Sequence, residues 1–126
     1  MNYPRHSHGI CYLAGEVYVV GGVTAKEYST GKTERFNLET KMWQSLPACN
    51  FNRLNPKLCG SFNSKMLYVF GGVPDNVEAN KGVEMFDTQT LDWRPLQVEL
   101  PIEFKGNRLH FCMMIEGKFY LPPITT

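Results

Sequence analysis

Val17-Tyr18-Val19-Val20-Gly21-Gly22 returns fifty residues later as Leu67-Tyr68-Val69-Phe70-Gly71-Gly72. Each copy is an apolar run rich in β-branched and aromatic residues that stops at a glycine pair, the composition of a strand running into a turn. The same shift, without a gap, brings Val23 onto Val73, Glu34 onto Glu84, Phe36 onto Phe86, Thr40 onto Thr90, Trp43 onto Trp93 and Leu46 onto Leu96. A period of this length marks a tandem repeat, in which each unit buries its apolar face only against its neighbours.

Working outward, residues 8–13 and 17–20 are apolar runs around a turn at Ala14-Gly15-Glu16, which predicts a hairpin. The pattern recurs at 58–62 and 66–70 around Asn63-Ser64-Lys65, and again at 109–115 and 118–121 around Glu116-Gly117. After each glycine pair come polar, turn-rich stretches, 24–31 and 74–81, read as loops. Short strands follow at 33–36 and 83–86, and a last strand carries the tryptophan at 42–46 and 92–96. No window holds apolar residues at helical spacing, so the expected class is all-β with almost no helix. Four strands per repeat of about 50 residues suit a propeller blade.

These residues resemble the kelch signature: an apolar strand, a glycine pair, then an aromatic residue and a tryptophan separated by six residues. The chain has Gly21-Gly22 with Phe36 and Trp43, then Gly71-Gly72 with Phe86 and Trp93. Met1-x-x-Pro4-Arg5-x-x-His8-Gly9 is similar to the join that precedes such a blade. Phenylalanine replaces the more usual tyrosine at Phe36 and Phe86, and Pro122-Pro123 stand where the third unit should carry glycines. The resemblance implies kelch-type β-propeller blades: two complete four-stranded blades plus the first hairpin of a third, hence a partial propeller. The expected divisions are 5–50, 55–104 and 105–126, the last degenerate or truncated. Two and a half blades cannot close a propeller of four to eight, which predicts completion by further blades or neighbouring subunits.

The 126 residues carry 13 basic and 12 acidic side chains, a formal charge of +1, without a run of one sign. That balance argues against nucleic acid or an anionic membrane as partner. No apolar segment approaches the roughly 20 residues needed to span a bilayer, and the amino terminus does not read as a secretory signal. A cytoplasmic location is expected, with cytoskeletal association in view. Cys11, Cys49, Cys59 and Cys112 show no Cys-x-x-Cys spacing and no correspondence between repeats, so reduced structural thiols are expected.

The glycine pairs lack the helix and lysine of a phosphate loop, so the reading is a backbone turn with positive φ. Trp43 and Trp93 hold equivalent positions, which favours blade packing over a ligand contact. In a strand, residues two apart share a face, so Glu34 lies beside Phe36 and Glu84 beside Phe86. A carboxylate there needs a partner, and Arg5, Arg53 and Arg108 are the nominated cations. The pair His6 and His8 lacks a third ligand, and no metal, cofactor or catalytic group is assigned.

In a four-stranded antiparallel blade, the second connection and the link to the next blade share one end. The long segments, 24–32, 74–81, 47–57 and 97–108, are all of that kind. Loops on a rigid sheet are where recognition is usually placed. The candidate partner contacts there are Lys26, Tyr28, Asn50, Phe51, Asn52, Arg53, Asn76, Glu78, Phe104 and Lys105. The function expected is a non-catalytic protein–protein interaction or scaffold module within a larger assembly. The family offers two alternatives: the substrate-recognition propeller of a cullin ubiquitin ligase adaptor, which needs a BTB-like module, and a galactose-oxidase-like copper enzyme, which needs secretion and a clustered Tyr, His and Cys site.

Overall fold

The structure, a computed structural model, describes residues 1–2, 4–26, 30–61, 65–71 and 83–96, and the backbone of 113–115 and 118–120. The first repeat contains β1 (Arg5–His6), β2 (Gly9–Leu13), β3 (Glu16–Val20), β4 (Val23–Thr24), β5 (Thr33–Asn37) and β6 (Met42–Leu46). The second contains β7 (Lys57–Gly60), β8 (Met66–Phe70), β9 (Val83–Asp87) and β10 (Asp92–Leu96). Two four-stranded antiparallel sheets result, ordered β2-β3-β5-β6 and β7-β8-β9-β10. β11 (Met113–Ile115) and β12 (Lys118–Tyr120) form a third hairpin. The described residues contain no helix. The described residues are all-β, two four-stranded antiparallel sheets and a third hairpin, as the repeat predicts.

Local chemistry sets the turns. Ala14 and Gly15 both have positive φ, 50° and 84°, the geometry of a tight two-residue hairpin. Between β5 and β6, Asn37 Oδ1 accepts the N–H groups of Glu39 and Thr40, each at 2.9 Å. Asp87 does the same for Gln89 and Thr90 at 2.8 and 3.1 Å. Lys41 and Leu91 close these turns in the left-handed region, at φ 60° and 61°. An amide and a carboxylate thus supply the same acceptor at equivalent corners, as Asx turns require.

Strand alternation then divides each sheet into two faces. Leu13, Tyr18, Val20 and Leu46 of the first sheet meet Leu58, Leu67, Val69 and Phe86 of the second in one core, with Cys49 from the link between them. Tyr18 and Phe86 meet edge to face, with ring centroids 6.4 Å apart. On the far side of the second sheet, Cys59, Tyr68, Phe70 and Val83 form another buried cluster. The main core is therefore the interface between blades.

Two local expectations need correction. The stretch expected to be loop from Thr24 opens with a short ladder, because β1 lies antiparallel to β4 with Arg5 opposite Thr24 and His6 opposite Val23. The cysteines also correspond after all: Cys11 is opposite Tyr18 and Cys59 opposite Tyr68. The β7–β8 connection is longer than the β2–β3 hairpin, so the first strands are offset by 48 residues while the later ones keep 50. A gapless overlay cannot register both. β7 ends at Gly60, although Ser61 N–H still donates to Met66 O at 2.8 Å; Phe62 and residues 109–112 of the expected strands lie outside the described residues.

Candidate functional site

Gly21 and Gly22 have φ +73° and +101°, which L side chains rarely adopt. A Cβ on Gly21 would stand 2.6 Å from the Arg53 carbonyl oxygen, and one on Gly22 would stand 2.6 Å from that of His6. Instead, Gly22 N–H donates to Arg53 O at 2.8 Å and Gly21 N–H to Lys32 O at 3.0 Å. The glycine pair thus admits two backbone segments that a side chain would push away. Gly71 repeats the turn at φ 66°; Gly72 lies outside the described residues.

Arg53 enters beneath this turn. Its Nε and Nη2 donate to Glu84 Oε2 at 3.1 and 2.8 Å, and Nη1 donates to Gly71 O at 2.9 Å. The other carboxylate oxygen of Glu84 accepts Asn50 N–H at 2.7 Å. Arg5 and Glu34 make the same arrangement: Nη2 to Oε2 at 2.8 Å, Nη1 to the carbonyls of Gly21 and Lys32, and Asn2 N–H to Oε1 at 2.7 Å. All four charged side chains are 0–1% exposed. Burying such charges is tolerable only because each is paired and its remaining hydrogen-bonding groups are largely filled. Arg108 lies outside the described residues.

Arg53 was expected among the partner contacts, and the structure corrects this. Its guanidinium is committed to Glu84 and Gly71 inside the protein and is closed to a partner. Around it, however, the link between blades and the long connection of the first blade are stitched together. Thr30 and Arg53 form an isolated bridge, Arg53 N–H donates to Thr30 O at 3.0 Å, and Cys49 N–H donates to Gly31 O at 2.9 Å. Asn50 and Asn52 of this junction are exposed, as is Lys26 after β4. Phe51, half-buried, lies with its ring 5.7 Å from the Arg53 guanidinium carbon. Tyr28, Asn76, Glu78, Phe104 and Lys105 lie outside the described residues.

Each tryptophan packs on the aromatic residue of the adjoining strand. Phe36 and Trp43 have centroids 5.0 Å apart, and Phe86 and Trp93 have centroids 4.8 Å apart, with interplanar angles of 48° and 45°. Trp93 Nε1 also donates to Pro47 O at 2.7 Å, tying the second blade to the end of the first. Sequence reading missed Pro47, Thr30 and the amides of Asn2 and Asn50, because all four act through the main chain. The spacing of Asn2-x-x-Arg5 and Asn50-x-x-Arg53 was the available signal.

Burial pushes the Cys11 thiol up to about 11 and the Cys49 thiol up to about 12. Burial, followed by the Arg5 and His6 charges, lowers the pKa of His8, whose Nδ1 is buried without a partner. His6 Nδ1 instead meets Ser7 Oγ at 3.1 Å. Among the described residues no three His, Cys, Asp or Glu side chains come together as metal ligands, and no helix is long and apolar enough to cross a membrane.

Glycine-ended, four-stranded antiparallel sheets packed face to face define a propeller-type repeat protein. The kelch motif matches residues 4–50. An F-box/kelch-repeat protein of Arabidopsis thaliana is 36% identical over 85 residues, 68% of this chain and 21% of its own length. A second, putative F-box/kelch-repeat protein of that plant is 27% identical over 115 residues, 91% of this chain and 38% of its own length. Alpha-scruin of Limulus polyphemus is 28% identical over 115 residues, 86% of this chain and 12% of its own length. The chain belongs to the kelch-repeat family. It spans between 12% and 38% of the length of these three relatives.

Proposed function

We propose that this chain is a non-catalytic protein–protein interaction module of the propeller type, working as a scaffold component of a larger assembly. The observation that carries this reading is the stitched junction of residues 30–31 with 49–53. There, exposed Asn50 and Asn52 flank Phe51, whose ring stands 5.7 Å from the guanidinium carbon of the buried Arg53, and this aromatic and amide chemistry on a tied-down loop supports a recognition surface to which exposed Lys26 is assigned as well. Tyr28, Asn76, Glu78, Phe104 and Lys105 extend the proposed contact set. The partners are other protein chains, and further blades or neighbouring subunits complete the module. The setting is cytoplasmic, with cytoskeletal association as its finer form.

The test is capture of partners by the native protein and by a K26A/N50A/F51A/N52A variant, with an E39A/T40A variant at the opposite end as control. Loss of partners in the first variant alone is expected. Equal capture by all three removes the surface from the reading. A second reading, substrate recognition for a ubiquitin ligase, is favoured by the relatives named F-box/kelch-repeat proteins. Ubiquitin transfer to captured partners in the reconstituted assembly separates it from a pure scaffold.

A further inference from the structure

We propose that Met66 and Met85 form a modification site at which hydrogen peroxide is the oxidant, and that their sulfoxides loosen the third hairpin from the second sheet. The inference stands apart from the loop surface and its partners.

The two blades differ in chemistry at one matched set of positions. On the face of the first sheet that meets the second, Glu16, Tyr18 and Arg35 form a polar network. Arg35 Nη1 lies 3.4 Å from Glu16 Oε2 and donates to the Tyr18 hydroxyl at 3.4 Å, and that hydroxyl donates to Glu16 Oε2 at 3.3 Å. In the second sheet the same register holds Met66, Tyr68 and Met85. Glu16 stands opposite Asn37 as Met66 does opposite Asp87, and Tyr18 stands opposite Arg35 as Tyr68 does opposite Met85. The tyrosine is kept, while an ion pair gives way to two thioethers. Both methionines are half-buried, packed with Leu96 against the cluster of Cys59, Tyr68, Phe70 and Val83. This cluster lies on the side of the second sheet away from the first, and β11 runs beside β7 there as β7 runs beside β2.

The chemistry follows from the thioether. Its sulfur lone pair attacks one oxygen of hydrogen peroxide, the O–O bond breaks and an S–O bond forms. The departing hydroxide takes the proton of the transferred oxygen and leaves as water. Sulfur loses two electrons and the peroxide gains them, and methionine sulfoxide reductases reverse the change. Half-burial lets a molecule as small as peroxide approach both side chains, whereas Phe70, Val83 and Leu96 offer it no sulfur. The product converts a flexible apolar side chain into a polar one. Set among apolar neighbours, that new acceptor disfavours the packed state. The first interface is insensitive to this reaction at the matched positions, because a carboxylate and a guanidinium stand there instead. Oxidation therefore acts on one junction and leaves the other closed.

The test treats the natural protein, M66L/M85L and M42L with hydrogen peroxide and maps oxygen uptake by peptide mass spectrometry. Amide hydrogen exchange is then followed in peptides covering 113–120 and 9–20. Met42 is the control because it is 67% exposed and lies at the β5–β6 turn. The expected result is oxygen on Met66 and Met85, with exchange over 113–120 raised about fivefold or more in the natural protein and in M42L. Exchange over 9–20 stays unchanged, M66L/M85L shows no rise, and reductase treatment of the natural protein restores the original rate. The reductase arm needs no substitution, so it decides the matter even where M66L/M85L fails to fold. Met66 and Met85 left unoxidised while Met42 reacts, or both oxidised with exchange unchanged, overturns the proposal. A rise that persists in folded M66L/M85L assigns the effect to another residue, such as Met113 or Met114, and overturns it as well.

Discussion

Arg53 and Glu84 lie 31 residues apart in sequence and form an ion pair of 2.8 Å, with the side chains 0% and 1% exposed. Removing one partner leaves the other charge buried, a loss of about 3–5 kcal/mol. Arg53→Ala and Glu84→Ala are each expected to lower stability by that amount in urea unfolding. The double substitution R53M/E84L, which removes both charges, should recover much of the loss. Equal destabilisation by the double and single variants contradicts this account.

The two tryptophans separate packing from hydrogen bonding. Trp93→Phe keeps a ring against Phe86 but loses the donor to Pro47 O, so about 1 kcal/mol of stability should be lost. In these 126 residues Trp43→Phe should cost clearly less, since its indole nitrogen has no described acceptor. Thermal unfolding of both variants side by side gives the comparison.

Gly21→Ala meets two penalties at once: φ of +73° and a Cβ 2.6 Å from the Arg53 carbonyl. A loss of at least about 1–3 kcal/mol is expected from the backbone strain. Gly15→Ala has the same kind of φ, +84°, but open space around its Cβ, so it should cost less. Unfolding midpoints for the two variants separate conformational strain from steric collision.

Asp87 is held below the ordinary aspartate range first by hydrogen bonds from the amides of Gln89 and Thr90. A depressed folded value means that its ionised form contributes stability above the unfolded pKa, lost as pH falls through the folded one. Asp87→Asn keeps the Oδ1 acceptor, as Asn37 does at the equivalent turn, but cannot titrate. Between about pH 5 and about pH 3, the unfolding midpoint of the variant should fall less than that of the natural protein. Parallel slopes argue against the assignment.

Cys49 and Cys11, with pKa values pushed up to about 12 and about 11 by burial, remain neutral thiols at pH 8. Because the thiolate is the nucleophile, iodoacetamide should label both slowly in the folded protein and quickly in urea. Mass mapping of the alkylated peptides over time tests this.

Period-2 alternation and the recurring glycine pair made the strands of both blades legible, and the tryptophan and aromatic positions followed from the repeat. The Glu34 and Glu84 face was legible too, because strand parity assigns a face without any knowledge of distance. The correspondence of Cys11 with Cys59 was not, since a longer hairpin shifts the register by two and only pairing reveals which residues stand opposite. Arg53 is nominated by the sequence both as a partner for a strand carboxylate and as a surface contact, and only the distance to Glu84 decides between them, because a loop position does not show which way its side chain turns.

The sequence by itself determined the repeat, the all-β class and the kelch family, because local alternation and turn chemistry are written in neighbouring residues. Only the tertiary structure decided which glutamate each of Arg5 and Arg53 clasps, and that main-chain groups of Asn2, Thr30, Pro47 and Asn50 complete the clasps and the link between the sheets. Those properties depend on which atoms come within about 3 Å across the fold, a relation that main-chain groups common to every residue do not announce in the sequence.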